Sequence, residues 1–202
     1  MELNHAVWNK DKTLCVCGVG QGMDHVLELY ATYGKDCLAY MRGAFRFGMY
    51  DQERNDLLAA RGRTGEEMLY YAEIPGGVVL SAELKAILKD YIAEPQLDVE
   101  QLMGPIRYTG PIDNEKTYIK QSKRLGAGEY LVINANGLKR YTYWNRHLLR
   151  ENRINVSLDE AKKHIESLLR ESVEYSLQTD KPLAIMLSGG IDSSLVAKLA
   201  KD

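Results

Sequence analysis

The 202-residue chain has little of what several common classes of protein require. Its three cysteines, Cys15, Cys17 and Cys37, are an odd number without metal-site spacing, so they indicate neither a disulfide framework nor a zinc site. Cys15 and Cys17 belong to an apolar run, which predicts that both are buried thiols. A net charge of −2 excludes a strongly basic nucleic-acid surface.

Long apolar segments are absent as well. No run approaches the roughly 20 residues of a membrane span, and the first residues lack the charged and apolar regions of a signal peptide. We therefore expect a cytoplasmic protein whose partners are small molecules or protein, not membranes or nucleic acids. With 45% apolar and 27% charged residues, the chain is typical of one or two globular domains.

The most informative stretch is Ser188-Gly-Gly-Ile-Asp-Ser-Ser194, which follows six mostly apolar residues at 182–187. This order predicts a buried strand, a sharp glycine turn and a helix that opens near Asp192. Glycines let a ligand approach the backbone closely, and the N–H groups and serine hydroxyls lie where the helix dipole is positive. The stretch is therefore predicted to bind an anion such as pyrophosphate.

Two better-known phosphate motifs do not fit these residues. A P-loop requires Gly-Lys-Ser/Thr after the glycines, and here Ile191 and Asp192 follow Gly190 instead. A dinucleotide fingerprint requires a different glycine spacing and an acidic residue about 20 positions further on. A plain serine-glycine turn with a capped helix remains the alternative without function.

The residues before this stretch are rich in predicted strands. Alternating apolar residues predict a strand that follows a turn at residues 9–12 and ends near residue 20. They also predict a helix from Asp24 to Tyr33 that ends at Gly34, and three hairpins. The hairpin turns are predicted at residues 52–55, 74–76 and 135–137, the last being Ala-Asn-Gly. Shorter helices are predicted at 82–89 and 99–106, the second with Asp98 as its N-cap.

A polar stretch at residues 145–156 is predicted to be a linker. Ser157-Leu-Asp-Glu160 then resembles a capping box, which predicts a helix that runs to about Leu177 with one apolar face. The division is accordingly 1–150 for a β-rich domain and 151–202 for the first helix, strand and helix of an α/β domain.

The order of these segments resembles one family, the glutamine-dependent asparagine synthetases and their relatives, such as β-lactam synthetases and lasso-peptide cyclases. Gly43-Ala-Phe-Arg-Phe-Gly-Met-Tyr-Asp51 resembles one of the family's strands, and Ser81-Ala-Glu-Leu-Lys-Ala86 resembles a family turn. Five similar segments follow one another in the family's order, at residues 43–51, 61–71, 81–86, 124–131 and 188–194.

The resemblance implies a fold and a set of ligands. The expected class is α+β: a degenerate β-rich sandwich of the N-terminal-nucleophile amidotransferase type, followed by the start of an α/β adenine-nucleotide-hydrolase-like domain. The implied cofactors are ATP and Mg²⁺, with Asp192 as the residue nearest the metal. The implied pyrophosphate-binding residues are Leu187, Ser188, Gly189, Gly190, Asp192, Ser193 and Ser194.

Several departures from the family pattern bear on activity. Family members that hydrolyse glutamine begin Met-Cys-Gly, and their terminal cysteine is the nucleophile; Glu2 stands at that position here. The aspartate that holds the glutamine ammonium group in the family falls on Gly22, unless Asp24 takes over from a shifted position. These departures predict that glutaminase activity is lost, and that no residue of this chain is catalytic.

Two functions follow from these predictions. The first is part of an ATP-dependent amide-forming ligase, in which ATP adenylates a carboxylate substrate and a nitrogen nucleophile displaces AMP. Since an α/β domain needs roughly 100 residues or more, the 202-residue chain is then expected to be an inactive fragment. The second is a non-catalytic scaffold that binds a partner or its own C-terminal half. Self-association is compatible with either function.

Overall fold

The computed structural model describes residues 2–20, 25–107, 113–146, 154–178 and 182–201. Within it the chain divides into two compact units, Met1–Leu149 and Arg150–Asp202.

The first unit is mostly antiparallel strand with short helices. One of these helices is a 3₁₀ helix, Gly34–Ala39. The elements in chain order are β1 (Glu2–Trp8), β2 (Leu14–Gly20), α1 (Val26–Tyr33), β3 (Phe45–Asp51), β4 (Asp56–Arg61), β5 (Tyr70–Ile74), β6 (Gly77–Ser81), α2 (Leu84–Tyr91), α3 (Val99–Arg107), β7 (Lys123–Arg124), β8 (Glu129–Asn134) and β9 (Gly137–Thr142).

The strands form two sheets of unequal size. The larger has the order β1-β2-β3-β4-β8-β9 and the smaller the order β6-β5-β7. Every pairing between named strands is antiparallel, and consecutive strands joined by short turns are neighbours. This arrangement confirms the predicted α+β class and explains the period-2 pattern, because such strands place alternate side chains on opposite faces.

One face of the large sheet packs against α1 and the 3₁₀ helix. Phe45, Phe47 and Met49 alternate along β3 and are buried there, beside Val26 and Tyr30 of α1. The Tyr30 hydroxyl donates a hydrogen bond of 3.2 Å to the Asp51 carboxylate at the end of β3. The alternate side chains of β3 and one face of α1 are therefore buried in the same core.

The opposite face of the large sheet packs against the small sheet. Ala59 and Leu131 from the large sheet are buried against Leu69, Tyr71 and Leu125 from the small sheet and its flanks. The two sheets thus form the predicted sandwich, with a helical layer on its outer side.

The predicted hairpins are confirmed. The turn after β3 contains Asn55 at φ 51°, a left-handed conformation that asparagine tolerates better than most residues. The β5–β6 and β8–β9 turns contain Gly76 and Gly137 at φ 90° and 98°. The Asp98 carboxylate accepts a 3.1 Å hydrogen bond from the Gln101 N–H and so caps α3 as expected.

The charged residues Arg61, Arg63, Glu66 and Glu67 lie close together in the sequence, which predicts a solvated loop. Arg61 corrects that prediction. Its side chain is only 5% exposed. The guanidinium donates to the carbonyl oxygens of Glu67 at 2.7 Å and Leu125 at 2.6 Å, and also to that of Gly65. Burial lowers the pKa of Arg61, with a further contribution from nearby Arg124. Because the planar guanidinium carries five N–H donors, it can donate hydrogen bonds to carbonyl groups of separate loops at the same time.

Gly128 connects Tyr143 and Trp144, near the end of the first unit, to the large sheet through backbone hydrogen bonds. Its φ is 70°, and a Cβ there would collide with the Trp144 carbonyl. The Gly128 carbonyl accepts hydrogen bonds from the N–H groups of Tyr143, at 2.9 Å, and Trp144, at 3.1 Å. The Gly128 N–H in turn donates to the Gly62 carbonyl at 3.0 Å. Glycine is required because of both the conformation and the close approach.

In its described residues, the second unit contains two helices and, before the second of them, a segment without regular secondary structure at 182–188. Helix α4 spans Leu158–Ser176 and α5 spans Ile191–Lys201. The predicted capping box is confirmed: the Ser157 hydroxyl accepts from the Glu160 N–H at 3.3 Å, and the Glu160 carboxylate accepts from the Ser157 N–H at 2.9 Å. The apolar face expected on α4 is not covered, since the described side chains of this helix are all at least partly exposed.

Candidate functional site

The candidate site is the turn that leads into α5. Gly189 has φ 82°, in the left-handed region that favours glycine. No atom lies within 4 Å of a Cβ built on Gly189, so the backbone here is open to an incoming group. The turn and the exposed first turn of α5 therefore present backbone N–H groups to solvent, as an anion site requires.

Three serine hydroxyls converge on this turn. The hydroxyls of Ser188 and Ser193 are 3.0 Å apart. Ser193 and Ser194 each donate to the Gly190 carbonyl, at 3.2 and 2.8 Å. The Gly190 N–H points toward the Ser188 hydroxyl at 3.4 Å. The folded turn thus brings together side chains that are up to six residues apart in sequence.

Asp192 lies in the first turn of α5, and its side chain is exposed. A carboxylate is a suitable ligand for Mg²⁺, which in proteins is held by one or two carboxylates together with phosphate oxygens and water. The described residues contain no group of three or more His, Cys, Asp or Glu side chains that could hold a metal ion. Asp192 fits a magnesium ion that arrives with a phosphate ligand, and not one held by protein alone.

The apolar segment before the turn corrects a prediction. Residues 182–187 are not a buried strand: they have no regular secondary structure and are exposed, and Met186 is 93% exposed. A strand requires a neighbour for its N–H and C=O groups, and the described residues of the second unit include no strand. Leu187, the first of the implied binding residues, is therefore also exposed.

An apolar groove of about 560 Å³ runs between α4, residues 183–186 and α5. Its lining includes Leu169, Val173, Leu183, Ile185 and Val196, together with Ser193 of the candidate site. The apolar side chains that sequence periodicity predicted to be core therefore line an open groove in this structure.

The predicted glutamine site lies partly outside the described residues, since Gly22 belongs to 21–24. The expectation for the nearby thiols is wrong: Cys15 is half-buried and Cys17 is exposed. Residue alternation explains the error, because Val16 is buried in the core and its two neighbours face the other side of the sheet. The i, i+2 spacing of the two thiols was the sequence feature that could have revealed their shared face.

Comparison with known proteins identifies the class of each part. Residues 22–144 match the family described as "Glutamine amidotransferase domain", and residues 164–202 match "Asparagine synthase". The first match confirms the amidotransferase character predicted for the β-rich region. Residues 22–144 thus belong to the glutamine amidotransferase domain family, and residues 164–202 are similar to the asparagine synthase family.

Curated relatives sharpen this class. The chain is 29% identical over 180 residues to asparagine synthetase [glutamine-hydrolyzing] 3 of Bacillus subtilis, covering 87% of this chain and 28% of that protein. It is 25% identical to asparagine synthetase B of Escherichia coli, over 90% of this chain and 27% of that protein. The amidase chyE of Penicillium rubens is 33% identical, over 88% and 26%. The chain belongs to the asparagine synthetase family.

The chain spans about a quarter of the length of these curated relatives. Among solved structures, the glutamine phosphoribosylpyrophosphate amidotransferase of B. subtilis is 13% identical over 69% of this chain and 31% of its own, with a TM-score of 0.44. In the part of the chain that the structure describes, no helix is long and apolar enough to cross a bilayer.

Proposed function

We propose that this chain supplies the pyrophosphate-binding loop and the amidotransferase-like domain of an ATP-dependent, amide-forming ligase. In this reaction a carboxylate attacks ATP, pyrophosphate leaves, and a nitrogen nucleophile then displaces AMP from the acyl adenylate. The observation that carries the proposal is the open turn at the start of α5, where the hydroxyls of Ser188, Ser193 and Ser194 converge beside two glycines. The proposed use of ATP and Mg²⁺ favours a cytoplasmic location.

The residues of the turn would stabilise the leaving group. Negative charge increases on pyrophosphate as its bond to the α-phosphate breaks, and donors fixed in advance stabilise that charge without reorganisation. Ser188, Ser193 and Ser194 would exchange their present partners for phosphate oxygens, and the N-terminus of α5 adds its dipole. Asp192 would hold the Mg²⁺ that accompanies pyrophosphate, which neutralises part of its charge.

The nitrogen source is proposed to be free ammonia or an amine of the substrate. Two of the named relatives are glutamine-hydrolyzing, but this sequence has Gly22 at the position where the family has its ammonium-binding aspartate. Without that carboxylate, bound glutamine would lack its ammonium anchor.

ATP–pyrophosphate exchange by the full-length gene product tests the proposal. Ser193→Ala and Asp192→Asn should each slow exchange about ten- to a hundredfold, because a hydrogen bond to a charged group contributes about 1.5–3 kcal/mol. Ser176→Ala is the matched control, since its hydroxyl only donates within α4, to the Ser172 carbonyl. Exchange that is unchanged by both loop variants would contradict the assigned roles.

A second candidate is a non-catalytic scaffold, favoured by the uncovered apolar groove of the second unit. A protein of this kind would bind a partner through this groove and would bind no nucleotide. Absence of exchange with every carboxylate tried, together with no binding of Mg²⁺-pyrophosphate to the 202-residue chain, would support the scaffold and reject the ligase. Binding of Mg²⁺-pyrophosphate that Ser176→Ala keeps and Ser193→Ala loses would do the reverse.

A further inference from the structure

A cavity of about 460 Å³ lies between the two sheets of the first unit. Cys15 and Cys17 of β2 line it from the large sheet, and Leu69 and Leu80 line it from the small sheet. Such a volume is in the range that small ligands occupy. None of the residues that line this cavity belongs to the turn at residues 188–194, so its ligand can be tested apart from the proposed ligase activity.

The register of β2 and β3 explains why this cavity exists. Cys17 pairs with Gly48, which has no side chain, and Cys15 pairs with Tyr50. A Cβ on Gly48 would lie 3.4 Å from the Leu80 side chain, so the glycine leaves open the space that a larger residue would fill. The Cys17 thiol is therefore accessible from the cavity.

The two thiols form a pair on one face of the strand. Residues i and i+2 of a strand are about 6.6 Å apart at Cα, from a rise of about 3.3 Å per residue. Disulfides usually span a Cα separation of about 4.4–6.8 Å, most often about 5.5–6 Å, so this spacing lies near the upper end of their range. An ion between the two sulfurs lengthens the bridge and suits the spacing better.

The chemistry of the lining selects the kind of ion. Two thiolates are soft ligands, which prefer soft ions such as monovalent copper. A structural zinc site needs four ligands, and the described residues contain no group of three or more metal-binding side chains. Arg46 also lines the cavity and is ion-paired with Glu67, so this pair adds no net charge against a bound cation.

We propose that Cys15 and Cys17 together bind one soft, thiophilic metal ion of the monovalent copper class in the cavity between the sheets. Both cysteines belong to β2, two residues apart, and line the same cavity.

Anaerobic titration with Cu(I) held by the chromophoric chelator bicinchoninate tests the site in the 202-residue protein. One equivalent should pass to the wild-type chain. Cys15→Ser and Cys17→Ser should each lower the affinity about a hundredfold or more, because joining two ligands in one site raises affinity by about two to four orders of magnitude. Cys37→Ala is the matched control: Cys37 is a thiol buried elsewhere, in the helical core, and its loss should leave the affinity unchanged.

A second measurement needs no variant. One equivalent of Cu(I) should protect both Cys15 and Cys17 from iodoacetamide, as read by mass spectrometry of the digested chain. The proposal is overturned if the wild type takes no equivalent of copper, if only one of the two thiols is protected, or if Cys37→Ala loses binding while either serine variant keeps it.

Discussion

Helices α1 and α4 show how differently the two units use their apolar residues. Helix α1 has eight residues and buries Val26 and Tyr30, whereas α4 has 19 residues and none of its described side chains is buried. The shorter helix has no side-chain cap, and the longer one has a complete capping box. Packing thus supports α1, while local hydrogen bonds and propensity support α4. The comparison teaches that these two sources of helix stability are separable within one chain.

The largest effect that sharpens this comparison is expected from Phe47→Ala. Phe47 is 1% exposed in the core between the large sheet and α1. Removing such a ring should lower the free energy of unfolding by about 3–5 kcal/mol. Urea denaturation followed by tryptophan fluorescence reports this loss, because both tryptophans, Trp8 and Trp144, belong to the first unit.

Leu168→Ala in α4 is the control for that prediction. Leu168 is 51% exposed, so its truncation should change stability by less than about 0.5 kcal/mol, measured by far-UV circular dichroism. A loss comparable to that of Phe47→Ala would show that the second unit has a closed core in solution.

A smaller effect is expected at alkaline pH from Cys37, which is fully buried in the first unit. Burial and the nearby Asp36 carboxylate raise the pKa of this thiol from 9.0 to about 11. The neutral thiol therefore stabilises the fold fully below pH 9, and this contribution is lost as the pH rises to about 11. Two pKa units correspond to about 2–3 kcal/mol.

Cys37→Ala isolates this contribution. Wild type and variant should differ in their loss of stability between pH 9 and 11, with the variant losing less. Urea denaturation at each pH measures the difference, and other alkaline groups such as Tyr30, with its pKa raised to about 12, are present in both proteins. Parallel pH profiles would contradict the burial of Cys37.

A smaller loss than that at Cys37 is expected from Ser157→Ala in the second unit. Loss of the capping hydroxyl should cost about 1 kcal/mol of helix stability, visible as reduced ellipticity at 222 nm. Ser157→Asp should restore it, since aspartate caps as well as serine. Equal losses in both variants would show that the cap is not what stabilises α4.

The cap also has a pH signature. Hydrogen bonds from the Ser157 side chain and backbone lower the pKa of Glu160 from 4.5. The charged carboxylate therefore supports the helix above pH 4.5, and this support is lost as the pH falls through the lowered pKa. The dependence of helix content on pH should therefore be weaker in Ser157→Ala, because this variant lacks the hydroxyl that bonds to Glu160.

Local features were predictable from the sequence. The turn at residues 135–137, the Asp98 cap and the Ser157 capping box each depend on a few adjacent residues. The glycine-serine turn before α5 was predictable for the same reason. Sequence patterns work where the hydrogen-bonding partners lie within one turn of each other.

Features that depend on distant partners were not predictable. Strand β1 was missed because it is defined by its pairing with β2 and not by a pattern of its own. Arg61 resembled a loop charge until the structure brought the Leu125 carbonyl, 64 residues away, to its guanidinium. The prediction for residues 182–187 was wrong for the opposite reason. Their apolar pattern is that of a strand, but the described residues contain no strand that pairs with them.

The contacts of Gly128 also have a mechanical meaning. Tension applied to the backbone at Trp144 would act on the Gly128 carbonyl, which accepts hydrogen bonds from the N–H groups of Tyr143 and Trp144. The load would then pass through the Gly128 N–H to Gly62, directly after β4, which lies inside the large sheet. Tension at Trp144 would thus be carried into the interior of the large sheet as well as along its edge strand, β9.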